Sequence, residues 1–154
     1  MKDFWVNLLL NFSLISAACA MSLAQIIKVI VYLIKEKKLN FGHLLEAGGM
    51  PSAHSGAVSA LMISVALSNG VNSPVFAAVV VFGLIVMYDA AGVRRAASEQ
   101  ALVLNKITKH LNFTNELDSY EKLKEILGHT PFEVAVGAIL GILTTLMLYL
   151  FFYI

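Results

Sequence analysis

GGMPSAHSG, residues 48–56, sets paired glycines, a proline, two serines and a histidine directly ahead of an apolar run that reaches Leu67. Polar side chains are costly inside a bilayer and are kept there for a purpose. The depth of this stretch therefore decides how the rest of the chain is arranged. The chain has 154 residues, 58% of them hydrophobic and only 14% charged. Soluble domains carry about 25% charged residues, so the composition is that of a membrane protein. A net charge of +1 provides no basic field for nucleic acid, and none is expected as a partner. The single cysteine, Cys19, excludes a disulfide within the chain and leaves no cysteine-based zinc framework.

Working outward, four apolar segments stand out, at about 4–34, 51–69, 73–92 and 131–153. A bilayer is crossed by about 20 apolar residues, so four transmembrane helices in an all-α bundle are expected. The small residues of ISAACA, 15–20, have the form of a signal-peptide cleavage site. Lys2 is the only positive residue ahead of them and the apolar run continues past them, so the segment is read as a span. Between the second and third segments, SNGVNSP, 68–74, is an uncharged turn. The whole of 1–154 is expected to form one membrane-embedded domain, with loops at 35–50 and 93–130.

The longer loop is patterned. Ala97, Ala101, Leu104, Thr108 and Leu111 recur on one helical stripe, with Ile107 beside it. DSYE, from Asp118, has the form of a capping box for a second short helix ending at Gly128. Both are expected to be amphipathic helices on the cytoplasmic side. Lys35, Lys37 and Lys38 fall in the first loop, and Arg94, Arg95, Lys106, Lys109, Lys122 and Lys124 in the other, against Lys2 alone on the opposite side. Positive residues mark the cytoplasmic side, so both termini are expected outside, in a multi-pass protein of the cell membrane.

With four crossings, the ends of the first and third helices meet the starts of the second and fourth. Lys28, Ser52, His54, Asp89, Arg94, Arg95, His129 and Glu133 then gather at the cytoplasmic face. Helix N-termini present unpaired N–H groups to an anion. Gly49 permits close backbone approach, and Ser52 can either cap a helix or bind an oxyanion. Lys28, Arg94 and Arg95 supply positive charge, the arginine fork being suited to phosphate. Two histidines add groups that titrate near neutral pH. The combination points to phosphoryl transfer on a lipid head group.

Simpler roles exist for most of these residues. Lys28 can snorkel to the interface, and Arg94 and Arg95 can be ordinary positive-inside residues. TPFE, 130–133, has a threonine N-cap, proline at the first helical position and Glu133 at the third, which accounts for Glu133 without chemistry. Asp89 can pair with a nearby arginine. Gly137 and Gly141 form a GxxxG, read as close helix packing. His43 and His110 are loop residues expected in solvent. His54 has no such structural reason. Which histidine attacks is left open by the residues themselves. Asp89, Glu46 and Glu99 match no metal-ligand spacing, and a metal-independent reaction without a cofactor is expected.

Three blocks in order, GGMPSAHSGAVSAL (48–61), YDAAGVRRAASEQA (88–101) and LGHTPFEVAVGAILG (127–141), resemble the divergent branch of the type 2 phosphatidic acid phosphatase (PAP2) family. That superfamily also includes acid phosphatases and vanadium-dependent haloperoxidases. The resemblance runs from about Gln25 to Gly141. It implies a lipid phosphatase working through a phosphohistidine. His129 would be the nucleophile, Glu133 its orienting carboxylate and His54 the general acid. Lys28 and Lys35 have the Lys-x6 spacing of the first superfamily block, and Arg94 or Arg95 would clamp the phosphate beside Ser52. Ala53 stands where the superfamily has glycine, Lys35 where it has arginine, and Glu133 where it has aspartate. No arginine lies six residues before His129, so another helix end must provide it. The superfamily fold has more core helices than four, which a second copy of the chain would complete. A phosphomonoester or diphosphate lipid is the expected substrate, with a non-catalytic lipid-phosphate-binding or transport-associated protein as the alternative.

Overall fold

The computed structural model describes residues 2–37, 48–110, 123 and 128–153, and the side chains of Lys2, Lys35 and Glu36 are not among those described. The expected helix from Asp118, together with Lys38, His43, Glu46, Leu111, Lys122 and Lys124, lies outside the described residues. All the described elements are helices: α1 (Lys2–Leu9), α2 (Phe12–Glu36), α3 (Ala53–Asn69), α4 (Pro74–Ala91), α5 (Val93–His110) and α6 (Pro131–Tyr153).

The first apolar segment is two helices rather than one. Asn11 stops α1 and restarts the chain as the N-cap of α2, its side-chain oxygen accepting the Leu14 N–H at 3.1 Å. Asparagine competes for backbone hydrogen bonds in this way, and an apolar periodicity does not register it. At its other end α2 closes on Lys37, which takes the left-handed conformation at φ 54°.

Among the described residues, three helical stretches are long and apolar enough to cross a bilayer: Phe12–Ile34, Pro74–His110 and Pro131–Tyr153. This is one fewer than the apolar runs suggested. Helix α3 starts only at Ala53, because Ser52 is its cap, and its 17 residues rise about 26 Å against the roughly 30 Å of hydrocarbon. It is nonetheless the centre of the bundle, packed on α2, α4 and α6.

The core is built from small residues. Ala20 and Ala24 of α2, Gly56, Ser59 and Ala60 of α3, and Gly137, Gly141 and Thr145 of α6 are buried. A Cβ on Gly137 would meet the Ser52 carbonyl, and one on Gly141 the Gly56 carbonyl, so the two backbones touch directly. The GxxxG is thus a packing seam. The order of contacts, Gly137 on Ser52 and Gly141 on Gly56 and Ala60, makes α3 and α6 run the same way. Thr145 seals the seam by donating to the Ala60 and Gly141 carbonyls at 3.2 and 3.0 Å. At the far end, Phe12 packs edge-on against Tyr149 and Tyr153, which sets α2 antiparallel to α6. The outer surface carries Val81, Ile85, Tyr88, Ile139, Met147 and Phe151, all largely exposed, as expected of a surface solvated by lipid.

Helix α5 continues α4 after a one-residue break at Gly92, and among the described helices it packs on α4 alone. Its buried positions are Ala101 and Asn105 rather than the full expected stripe, with Leu104 and Ile107 about half exposed. Asn105 is buried for a specific reason. Its amide donates to the Leu123 carbonyl at 2.9 Å and accepts the Leu123 N–H at 3.1 Å, substituting for a backbone partner.

Candidate functional site

The starts of α3 and α6 and the end of α4 meet at one end of the bundle. The Ser52 N–H donates to the Glu133 carbonyl at 3.2 Å, and the His129 N–H donates to the Ala90 carbonyl at 2.9 Å. The second bond uses one of the orphan carbonyls that end α4. Gly128 lies directly on the Arg94–Arg95 backbone, where a Cβ would overlap it. The residue before His129 is therefore glycine because the chain must pass over the start of α5. This contact supplies the proximity to arginine that the linear spacing lacks.

His54 and His129 face each other with ring centroids 6.4 Å apart. His54, in the first turn of α3, is exposed, whereas His129 is 1% exposed. Among the described residues, neither ring nitrogen of His129 finds a hydrogen-bond partner. Its Nδ1 lies 3.4 Å from Glu133 Oε2, within ion-pair distance. Burial pushes the His129 imidazole below the usual histidine value. Lys28 and His54 press in the same direction, while the Glu133 carboxylate opposes them. A buried imidazole of this kind is neutral at pH 7 and keeps a lone pair available.

Glu133 has two partners. It completes a capping box, with Oε2 accepting the Thr130 N–H at 2.9 Å and Thr130 Oγ1 accepting the Glu133 N–H at 3.3 Å. Capping by Thr130 leaves His129 outside α6, yet the chain turns so that the same carboxylate reaches Nδ1. The structural and chemical roles of Glu133 coexist.

Lys28 does not snorkel. It is 1% exposed, enclosed between helices, and its charge acts on both histidines. Arg94 and Asp89 also lie close enough for their charges to act on His54. Those two residues pair at 2.8 Å, Nε to Oδ2, each side chain a little under half exposed. Arg95 points elsewhere, pairing with Glu99 at 3.3 Å on the exposed side of α5. The structure therefore gathers Arg94 with the histidines and separates Arg95 from them. Ser52 is fully buried, and its Oγ accepts from the Ser55 N–H at 3.3 Å and the Ser55 hydroxyl at 3.0 Å. Of its two expected roles, this is the cap.

Gly49 has a φ of 92° and lies against Tyr32, whose Oη would be 2.9 Å from an added Cβ. Close approach is required there, but by a side chain of α2. Tyr32 is one of the residues missed by sequence reasoning, although its spacing four after Lys28 puts both on one helical face. Ser55, Gly128 and the Ala90 carbonyl were also missed. The last leaves no mark on a sequence at all.

A family model described as the divergent PAP2 family matches residues 9–144. The chain belongs to that family. Among its relatives is the uncharacterized membrane protein YuiD of Bacillus subtilis (strain 168), 46% identical over 157 residues. The similarity covers 96% of this chain and 99% of that one. No solved structure matches. Membership in the family, with apolar helices of spanning length, makes this a PAP2-like membrane protein.

Proposed function

We propose that this divergent PAP2 member is a metal-independent phosphatase of a membrane lipid phosphate or diphosphate. The observation that carries the proposal is the histidine pair. A buried, neutral His129 backed by Glu133 faces an exposed His54, with Lys28 and Arg94 charging the space around them. A ring nitrogen of His129 attacks phosphorus as the bond from phosphorus to the lipid oxygen breaks. The negative charge of the bound phosphate offsets Lys28 and Arg94, so that His54 takes up a proton as the lipid binds and gives it to that oxygen. Water then attacks the phosphohistidine and passes a proton to His54, the P–N electron pair returns to His129, and phosphate leaves. Lys28 and Arg94 stabilise charge on the phosphoryl oxygens throughout. Four crossings, both termini outside and a site facing the cytoplasm complete the proposal, supported by the bias of basic residues toward the loops.

The enclosure of His129 favours a second reading, in which the site binds a lipid phosphate without turning it over. One experiment separates them. Purified full-length protein is given a panel of lipid phosphates and diphosphates with chelator present, and phosphate release is measured beside His54→Ala and His129→Ala. Acid–base and nucleophilic roles predict losses of at least about 10²-fold in each variant. Near-wild-type turnover in both folded variants would sink the mechanism. Saturable binding with no release from any lipid would establish the second reading.

A further inference from the structure

An apolar groove of about 330 Å³ lies between α2 and α6, lined by Leu23, Leu140, Leu143, Thr144, Met147 and Leu148. The one polar lining side chain is turned away from it chemically, because Thr144 Oγ1 donates to the Leu140 carbonyl at 2.8 Å. The same two helices carry the candidate site. Leu23 is five residues before Lys28, or about 7.5 Å along α2, and Leu140 is seven after Glu133, or about 10 Å along α6. From there the lining runs a further 12 Å or so, to Leu148, away from the histidines.

We propose that this groove holds an acyl chain of the lipid whose phosphate binds at the histidine pair. It rests on the lipid-phosphate reading above. A phosphate held by Lys28, Arg94 and the histidines leaves its hydrocarbon beginning at the depth where the groove begins. The volume suits such an occupant, falling at the lower end of the roughly 300–1,000 Å³ of small-ligand sites. A stable contact with a second copy needs about 800 Å² per partner, more than six side chains along one groove supply.

The test is photolabelling that does not depend on turnover. Full-length protein is reconstituted in phosphatidylcholine vesicles with phosphatidic acid bearing a diazirine midway along one acyl chain, and adducts are mapped by mass spectrometry. Adducts on groove residues should exceed those on lipid-facing Val81 and Ile85 of α4 by at least about 5-fold. Excess long-chain phosphatidic acid should remove them, and excess phosphatidylcholine should not. Leu143→Trp should cut groove labelling several-fold, whereas Val81→Trp should leave it unchanged. Uniform labelling of all lipid-facing helices would overturn the proposal, as would crosslinking of Leu143→Cys chains to one another. Groove labelling without phosphate release would keep the groove and reject the phosphatase. Release with uniform labelling would do the reverse.

Discussion

Along the α3–α6 seam no side chain separates the helices, and Gly137 and Gly141 rest on the carbonyls of Ser52 and Gly56. At the α4–α5 junction the backbone breaks at Gly92, and the side chains that follow, Arg94 and Arg95, stand about half open. Both regions contribute to one end of the bundle. The seam fixes His54 and Glu133 because they lie within a turn of its first contact, whereas the junction supplies charge through a long side chain held by an exposed ion pair with Asp89. Backbone contact allows little adjustment, while an exposed pair is worth only about 0–1 kcal/mol. Substitutions at the seam should therefore act on the fold, and those at the junction on the chemistry.

The largest effect is expected at the seam. Gly141→Val places a Cβ on the Gly56 carbonyl, where neither helix can yield without separating. Overpacking usually costs about 1–3 kcal/mol, and this case should reach or exceed the top of that range. Gly83→Ala is the control, since its Cβ would meet only the flexible end of Met62, at 3.0 Å. Thermal unfolding in detergent should show Gly141→Val losing its cooperative transition while Gly83→Ala remains close to wild type. Equal behaviour would mean that the seam is no stiffer than any other helix contact.

At the junction the comparison sharpens to two neighbouring arginines. Arg94→Ala should lower kcat/KM by about 10²-fold, the usual scale for losing one group that stabilises developing charge. Arg95→Ala, whose guanidinium pairs with Glu99 instead, should stay within about threefold. Phosphate release on the best substrate from the lipid panel measures both. Equal losses would place Arg95 in the site and erase the distinction drawn from their partners.

The gathering of Lys28, His54, Arg94, His129 and Glu133 was legible because apolar run lengths and a count of helix ends are enough to bring them together. The capping box at Thr130 and the packing role of the GxxxG were legible for a similar reason, since each is a short pattern with a local cause. The break at Asn11 was not, because a single asparagine hardly disturbs hydropathy. The length of α3 was legible in part, because the apolar run after Ala53 is itself short and the cap at Ser52 decides where the helix begins. The separation of Arg94 from Arg95 depends on which face each residue takes after Gly92, and adjacent residues share every composition signal. In α5, the expected stripe missed Asn105, a polar residue buried only because its amide pairs with the Leu123 backbone.

The smallest effect returns to the end of the seam and concerns proton linkage at His129. Burial, Lys28 and His54 hold its folded-state value below the ordinary histidine value of about 6.5, against the pull of Glu133. As pH falls through that ordinary value, the unfolded chain takes up a proton that the folded protein refuses. The unfolded state then binds more protons, so stability is complete above about pH 6.5 and declines below it. One proton limits the slope to about 1.4 kcal/mol per pH unit. Unfolding temperatures of wild type and His129→Asn from pH 7.5 to pH 5 isolate this contribution, because every other titrating group is common to both. Wild type should lose stability on acidification more steeply than the variant. Parallel curves would mean that His129 keeps the ordinary histidine value in the folded state and that its burial beside Lys28 and His54 is offset in full by Glu133.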